Sequence, residues 1–165
     1  LKYEKLCSFY AYVTTPFLYI FISSYHNKYE VMKMKFYQYI FTFLMGYFLY
    51  AFVEVAGRGY THWTMCLTGG IVLTVIYIIS SRPAMTLIRC CVTGAAIITV
   101  IEFAVGIFDN IIMGWHVWDY SDRPFNIMGQ ICPLFSILWG ILCIPAFYLC
   151  RIIRQRFDNS LNCSR

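Results

Sequence analysis

Charge is scarce in this chain. Of its 165 residues only 13% are Asp, Glu, Lys or Arg, about half the share found in a soluble domain. No Lys/Arg stripe is present, so the net charge of +5 offers no nucleic-acid surface. The eight cysteines (Cys7, Cys66, Cys90, Cys91, Cys132, Cys143, Cys150 and Cys163) include no C-x-x-C pair, and no histidine sits at zinc spacing. Neither a disulfide framework nor a metal site is expected, and the thiols read as small hydrophobes inside apolar runs. No G-x-x-x-x-G-K-[ST] loop occurs, so the chain has no visible means of hydrolysing ATP, and no cofactor is implied. Internal repeats, low-complexity tracts and a soluble domain are missing as well.

What is abundant is apolar surface. Hydrophobic residues make up 60% of the chain and the mean hydropathy is +0.63. One domain of this length could not hide so much from water, but a bilayer can hold it. Fourteen Tyr, fourteen Phe and four Trp agree, since aromatic rings collect at membrane interfaces. The expected fold class is all-α, a polytopic membrane bundle with four core helices over residues 36–56, 65–80, 84–108 and 131–150. A fifth span is expected over 6–23, which lacks a small-residue cleavage site and so does not read as a cleaved signal peptide. Pro133 and Pro145 fall in the last span and are candidate kinks. The chain thus divides into an N-terminal extension (1–35), a four-helix membrane domain (36–150) and a basic tail (151–165).

Lys and Arg set the orientation. With five spans, nine of them fall on the side holding 24–35, the link at 81–89 and the tail, against four on the other side. Positive charge stays in the cytoplasm. The expectation is therefore a multi-pass protein of a bacterial cytoplasmic membrane with a cytoplasmic C-terminus. The 109–130 connection, with three Asp and one Arg, would then face outward.

Two acids interrupt the apolar runs on that outer side. Glu54 sits at the end of one span, and Glu102 lies roughly 9 Å below the interface at about 1.5 Å per helical residue. Ionisable groups at such depth are costly and usually face a bundle interior or a wet cavity with a partner. Glu102 has three open readings: a bond to Arg58 or an indole N–H that holds helices in register, a proton or substrate role, or a snorkelling acid. Arg58 and His62 lie in the adjacent outer segment. Trp115, His116, Trp118, Asp119, Tyr120, Ser121, Asn126 and Gln130 crowd the outer connection, where an interfacial helix is expected around 111–118. Trp63, Trp115 and Trp118 also read as an interfacial belt, and Asp119, Ser121, Pro124 and Asn126 as turn formers. Gly69-Gly70 and Gly94-Ala95-Ala96 read as close-packing positions between helices.

The run Trp118-Asp119-Tyr120-Ser121, then Pro124, Asn126, Gly129-Gln130-Ile131-Cys132, Ser136 and Trp139-Gly140, resembles a bacterial membrane family labelled putative ABC-transporter permease, type IV. Upstream, Glu54, Arg58-Gly59-Tyr60, His62-Trp63-Thr64-Met65, Gly69-Gly70 and Glu102-Phe103 with Gly106 and Asn110 extend the resemblance to roughly 38–150. It departs at Pro133, where an aliphatic residue is expected, and in a short first outer loop. The resemblance implies a permease working with an ATPase or another membrane subunit. The link from Ser81 to Arg89 is too short for an obvious coupling helix.

Three functions remain open. One is a transport component, with a homo-oligomer among its forms, that binds a small solute in the outer half of the bundle through Glu54, Arg58, His62, Glu102, Trp118, Asp119, Tyr120, Ser121, Asn126 and Gln130. Another is a membrane enzyme acting on a lipid-linked substrate, although no nucleophile–base pair is visible. The last is a non-catalytic scaffold in which the motif ties the outer connection to the helix ends.

Overall fold

Inside a bilayer a backbone amide has no water to bond, so an apolar stretch that crosses it must satisfy its own N–H and C=O groups as a helix. The computed structural model describes residues 32–163, and four helices in that range are long and apolar enough to cross a membrane. They are α1 (Met32–Arg58), α2 (Trp63–Ser80), α3 (Leu87–Gly106, continued by a π-helical segment Ile107–Ile112) and α4 (Pro133–Cys163). The expected all-α membrane bundle is therefore present. The expected fifth span, 6–23, lies outside the described residues. By its contacts the chain divides into units Leu1–Tyr37 and Gln38–Arg165. Of the first, only the opening turns of α1 are described. The rest of α1, the other three helices and their connections all belong to the second.

Local chemistry sets the helix ends. Thr86 stands before α3 and accepts a hydrogen bond from the Arg89 backbone N–H, so α3 starts at Leu87 rather than near Ala84. Pro133 is no kink. It is the first residue of α4, where its missing N–H costs no helical bond. Pro145 does lie in the interior of α4. That helix runs past Cys150 to Cys163 and carries Arg151, Arg154 and Arg156 along it. The helix expected around 111–118 is not formed. The π-helical segment ends at Ile112, and His116, with φ of 51°, belongs to irregular chain.

Small residues let the helices touch backbone to backbone, because lipid offers no hydrophobic drive for helix association. A Cβ on Gly70 would lie 2.7 Å from the Phe43 ring, and one on Gly69 would lie 2.9 Å from the Gly46 carbonyl oxygen. These contacts join α1 to α2. Between α3 and α4, a Cβ on Gly94 would lie 2.7 Å from Cys143 Sγ. Cys90, Cys143 and Cys150 are wholly buried around Ile76 and Ile153, filling the core as small apolar groups. Polar bonds also fasten the helices: Tyr77 on α2 donates to Gln38 Oε1 on α1 at 2.8 Å, and the Arg154 guanidinium on α4 donates to the Tyr77 carbonyl at 3.0 Å.

The outward faces are apolar. Phe52, Ile88 and Val100 are 72%, 76% and 69% exposed, a pattern suited to lipid rather than water. Gly69→Val is expected to destabilise the bundle by about 1–3 kcal/mol through overpacking, read as a lower unfolding temperature in detergent. Gly57→Val, where an added Cβ meets nothing, should leave that temperature nearly unchanged.

Candidate functional site

One end of the bundle gathers the C-termini of α1 and α3, the N-termini of α2 and α4, and the connection from Met113 to Cys132 that covers them. The connection is built from its own polar groups. Asp119 Oδ1 accepts from the Ser121 amide at 2.8 Å and the Ser121 hydroxyl at 2.6 Å. Asn126 donates to the carbonyls of Ser121 and Arg123 and accepts from the Gly129 amide at 3.0 Å. Gly129 has φ of +70°, and a Cβ there would meet Ser121 Oγ at 2.6 Å, so glycine is required on both counts. This closed turn uses up Ser121 and Asn126.

A second set of bonds docks the turn onto α3. Asn110 donates to Gln130 Oε1 at 2.7 Å and accepts from the Val117 amide at 2.6 Å. Gln130 also donates to the Met128 carbonyl, and its own carbonyl accepts from the Trp118 indole at 3.0 Å. Arg58 at the end of α1 pairs with Glu54 one turn earlier and donates to the Val117 carbonyl at 3.3 Å. Thr61 donates to the other oxygen of Glu54.

Beneath this roof lies a cavity of about 650 Å³. Glu102 lines it, 7% exposed. Its Oε2 accepts from the Trp139 indole at 2.8 Å and its Oε1 from the Tyr120 hydroxyl at 3.2 Å. Burial and then the Glu102 charge push the Tyr120 phenol well above its ordinary range, so it stays protonated and keeps donating. Tyr120 stacks on Phe135 with centroids 4.3 Å apart, and Tyr50 lies nearly parallel to Trp139 at 6.4 Å. Ile98, Leu138 and Leu142 supply apolar wall. Leu142 and Ile141 are about half exposed on α4, so one flank of the cavity lies at the surface of the bundle.

Of the residues singled out by sequence, Glu54, Arg58, Glu102, Trp118, Asp119 and Tyr120 line this cavity. His62, Ser121, Asn126 and Gln130 do not. The bond open to Glu102 goes to an indole rather than to Arg58, which is engaged by Glu54. His62 belongs to a separate chain of bonds. Its Nδ1 lies 2.6 Å from Thr64 Oγ1, and Thr64 donates to Asp109 Oδ2 at 2.6 Å. Its ring packs 4.9 Å from that of Trp115. Asp109 is wholly buried, and its Oδ1 has no partner. Sequence reasoning passes over Asp109 as one acid of a long connection. The signal that could have found it is spacing: Asp109 follows Glu102 by seven residues, two helical turns along the same face.

The structure places four spans, a roof and a buried carboxylate within one continuous stretch, and residues 53–163 of that stretch match the family described as Putative ABC-transporter type IV. The chain belongs to this family. The matched region begins just before Glu54 and takes in the roof and every other cavity residue named above except Tyr50. No curated protein and no solved structure matches the chain. Family and spans together make it a membrane protein of a transport-related kind.

Two outcomes are expected from these bonds. Thr64→Val leaves the buried Asp109 without its hydroxyl partner and should cost about 1–3 kcal/mol, whereas Thr64→Ser should keep near-parental stability in the same detergent melt. Asp119 is held below the usual carboxylate value by the Ser121 hydroxyl, then by the Ser121 amide. Its support of the turn is complete above the unfolded value and is lost as pH falls through the lowered one. Protection of the Ser121 amide against hydrogen exchange should therefore drop on acidification, and should not do so in Asp119→Asn.

Proposed function

We propose that this chain is a permease-type membrane subunit that binds a small solute in the cavity under the 113–132 roof, with Glu102 as the polar anchor. The supporting observation is the cavity itself. Its volume of about 650 Å³ falls in the usual range for small-molecule sites, mostly apolar with a few convergent polar groups. Glu54, Arg58, Trp118, Asp119 and Tyr120 join Glu102 as its binding residues. His62, Ser121, Asn126 and Gln130 serve the site by holding its roof and rim.

Since the chain carries no phosphate-binding loop, energy would come from an ATPase partner or another membrane subunit, and copies of the chain can assemble as a homo-oligomer. The Lys/Arg count supports a bacterial cytoplasmic membrane with the C-terminus in the cytoplasm and the roof outside. A scaffold role draws support from the roof, where Asn126, Gln130 and the Asp119–Ser121 pair satisfy one another. A roof closed on itself does not, however, account for an open volume beside a buried acid.

Glu102→Gln separates the two. It keeps the shape of the side chain but removes the charge. In cells whose phenotype depends on the chain, the variant is expected to reach the membrane at the parental level and melt at nearly the parental temperature, yet to lose complementation. Full complementation would remove Glu102 from the function. A fall in melting temperature with lower membrane level would favour the scaffold.

A further inference from the structure

The solute reading leaves open what kind of molecule the cavity takes, and the charges around it narrow the choice. Glu102 receives hydrogen bonds from two neutral donors, Trp139 and Tyr120. Neither brings a countercharge. Arg58, the guanidinium in the lining, is already paired with Glu54. Asp119 adds a further acid to the lining. An anionic solute would meet three carboxylates, an engaged guanidinium and the His116 ring. A cationic solute would meet a buried carboxylate with lone pairs to spare, since a carboxylate has about four acceptor positions.

The walls favour the same sign. Tyr50, Trp118, Tyr120, Phe135 and Trp139 all line the cavity. Aromatic faces attract cations through their quadrupole, most strongly when the cation is an ammonium stripped of water. Ile98, Leu138 and Leu142 add aliphatic wall, and Leu142 is half exposed at the surface of the bundle. A small hydrated metal ion would find no oxygen-rich shell here; no group of three or more His, Cys, Asp or Glu among the described residues could hold one.

Building on the proposed solute site, we infer that its ligand class is an organic ammonium with an apolar body. The charged nitrogen sits against Glu102 between the rings of Tyr50, Trp139 and Tyr120. The apolar body lies along Leu138 and Leu142.

The test uses the full chain in phosphatidylcholine nanodiscs and isothermal titration with three probes that share a phenyl ring: 2-phenylethylammonium, 3-phenylpropionate and benzyl alcohol. Saturable binding is expected for the ammonium alone. Glu102→Gln should weaken it about tenfold or more, and Glu102→Asp should restore part of it by keeping the charge. If Glu102→Gln does not fold, Tyr50→Leu serves instead, with several-fold weaker binding expected from loss of one aromatic face. Saturable binding of phenylpropionate or benzyl alcohol as strong as that of the ammonium would overturn the cation assignment while leaving a solute site in place. So would ammonium binding that ignores Glu102→Gln. Binding of none of the three would also overturn it, and the solute site itself would fall only if Glu102→Gln also complemented fully in cells.

Discussion

A carboxyl group in the interior of a membrane bundle has to be given hydrogen bonds by the protein, because lipid gives none. Glu102 takes them from two places far apart in sequence: a tryptophan near the start of α4 and a tyrosine in the connection between α3 and α4. That requirement organises the capped end of the molecule. Tyr120 can reach Glu102 only if the connection folds back over the helix ends. The fold-back in turn depends on Asn110 and Gln130, which fasten the connection to α3. Gly106 makes room for it, since a Cβ there would lie 2.7 Å from Gln130 Oε1 and 3.0 Å from the Trp118 ring.

On the far side of the cavity the same rule works through a different pair. Glu54 is 8% exposed and is matched by Arg58 one helical turn away, with Thr61 on its second oxygen. Arg58 then reaches the Val117 carbonyl, so α1 is tied to the roof that α3 and α4 support. The two acids are therefore treated unequally. Glu54 is neutralised by a neighbour on its own helix. Glu102 is only hydrogen-bonded, by two neutral donors.

Much of this was legible in the residues. Long apolar runs have one solution in a membrane, so the four spans and their approximate limits followed from composition and length. Acids at depth pointed to Glu54 and Glu102, and Gly69-Gly70 and Gly94 to close packing. The roles inside the connection were harder to read. Asp119, Ser121 and Asn126 are equally good turn formers and ligand groups by type, and only their three-dimensional pairing shows Ser121 and Asn126 closed within the turn while Asp119 still lines the cavity. The Gln130 amide bonds to Asn110 and the Met128 carbonyl and His62 Nδ1 lies against Thr64, all outside the cavity lining, which residue type alone does not reveal. Asp109 was hidden because the helix does not end where hydropathy falls. A π-helical turn carries it on to Ile112 and keeps Asp109 inside. The helical tail of α4 was concealed in a similar way, by arginines that read as the end of a span.

The core below the cavity carries a consequence of its own. Ile98 and Leu142 are the lowest cavity residues on α3 and α4, and directly beneath them Cys143 sits on Gly94, one turn from Cys90. Below the cavity, then, the helices close on one another in a packed seam. Its centre is made of thiols, a glycine and aliphatic carbons, with the Tyr77 ring at its edge. Cys150 Sγ adds a weak contact with the Leu73 carbonyl at 3.9 Å, and the full hydrogen bonds of this core are those of Tyr77 with Gln38 and Arg154. Packing of that kind leaves no slack, so one added methyl group at Gly94 would press at once on Cys143 of α4 and meet Ile76 of α2. The polar fastenings from Thr99 to Ser136 and from Arg154 to Ser80 hold the helices on either side of that contact.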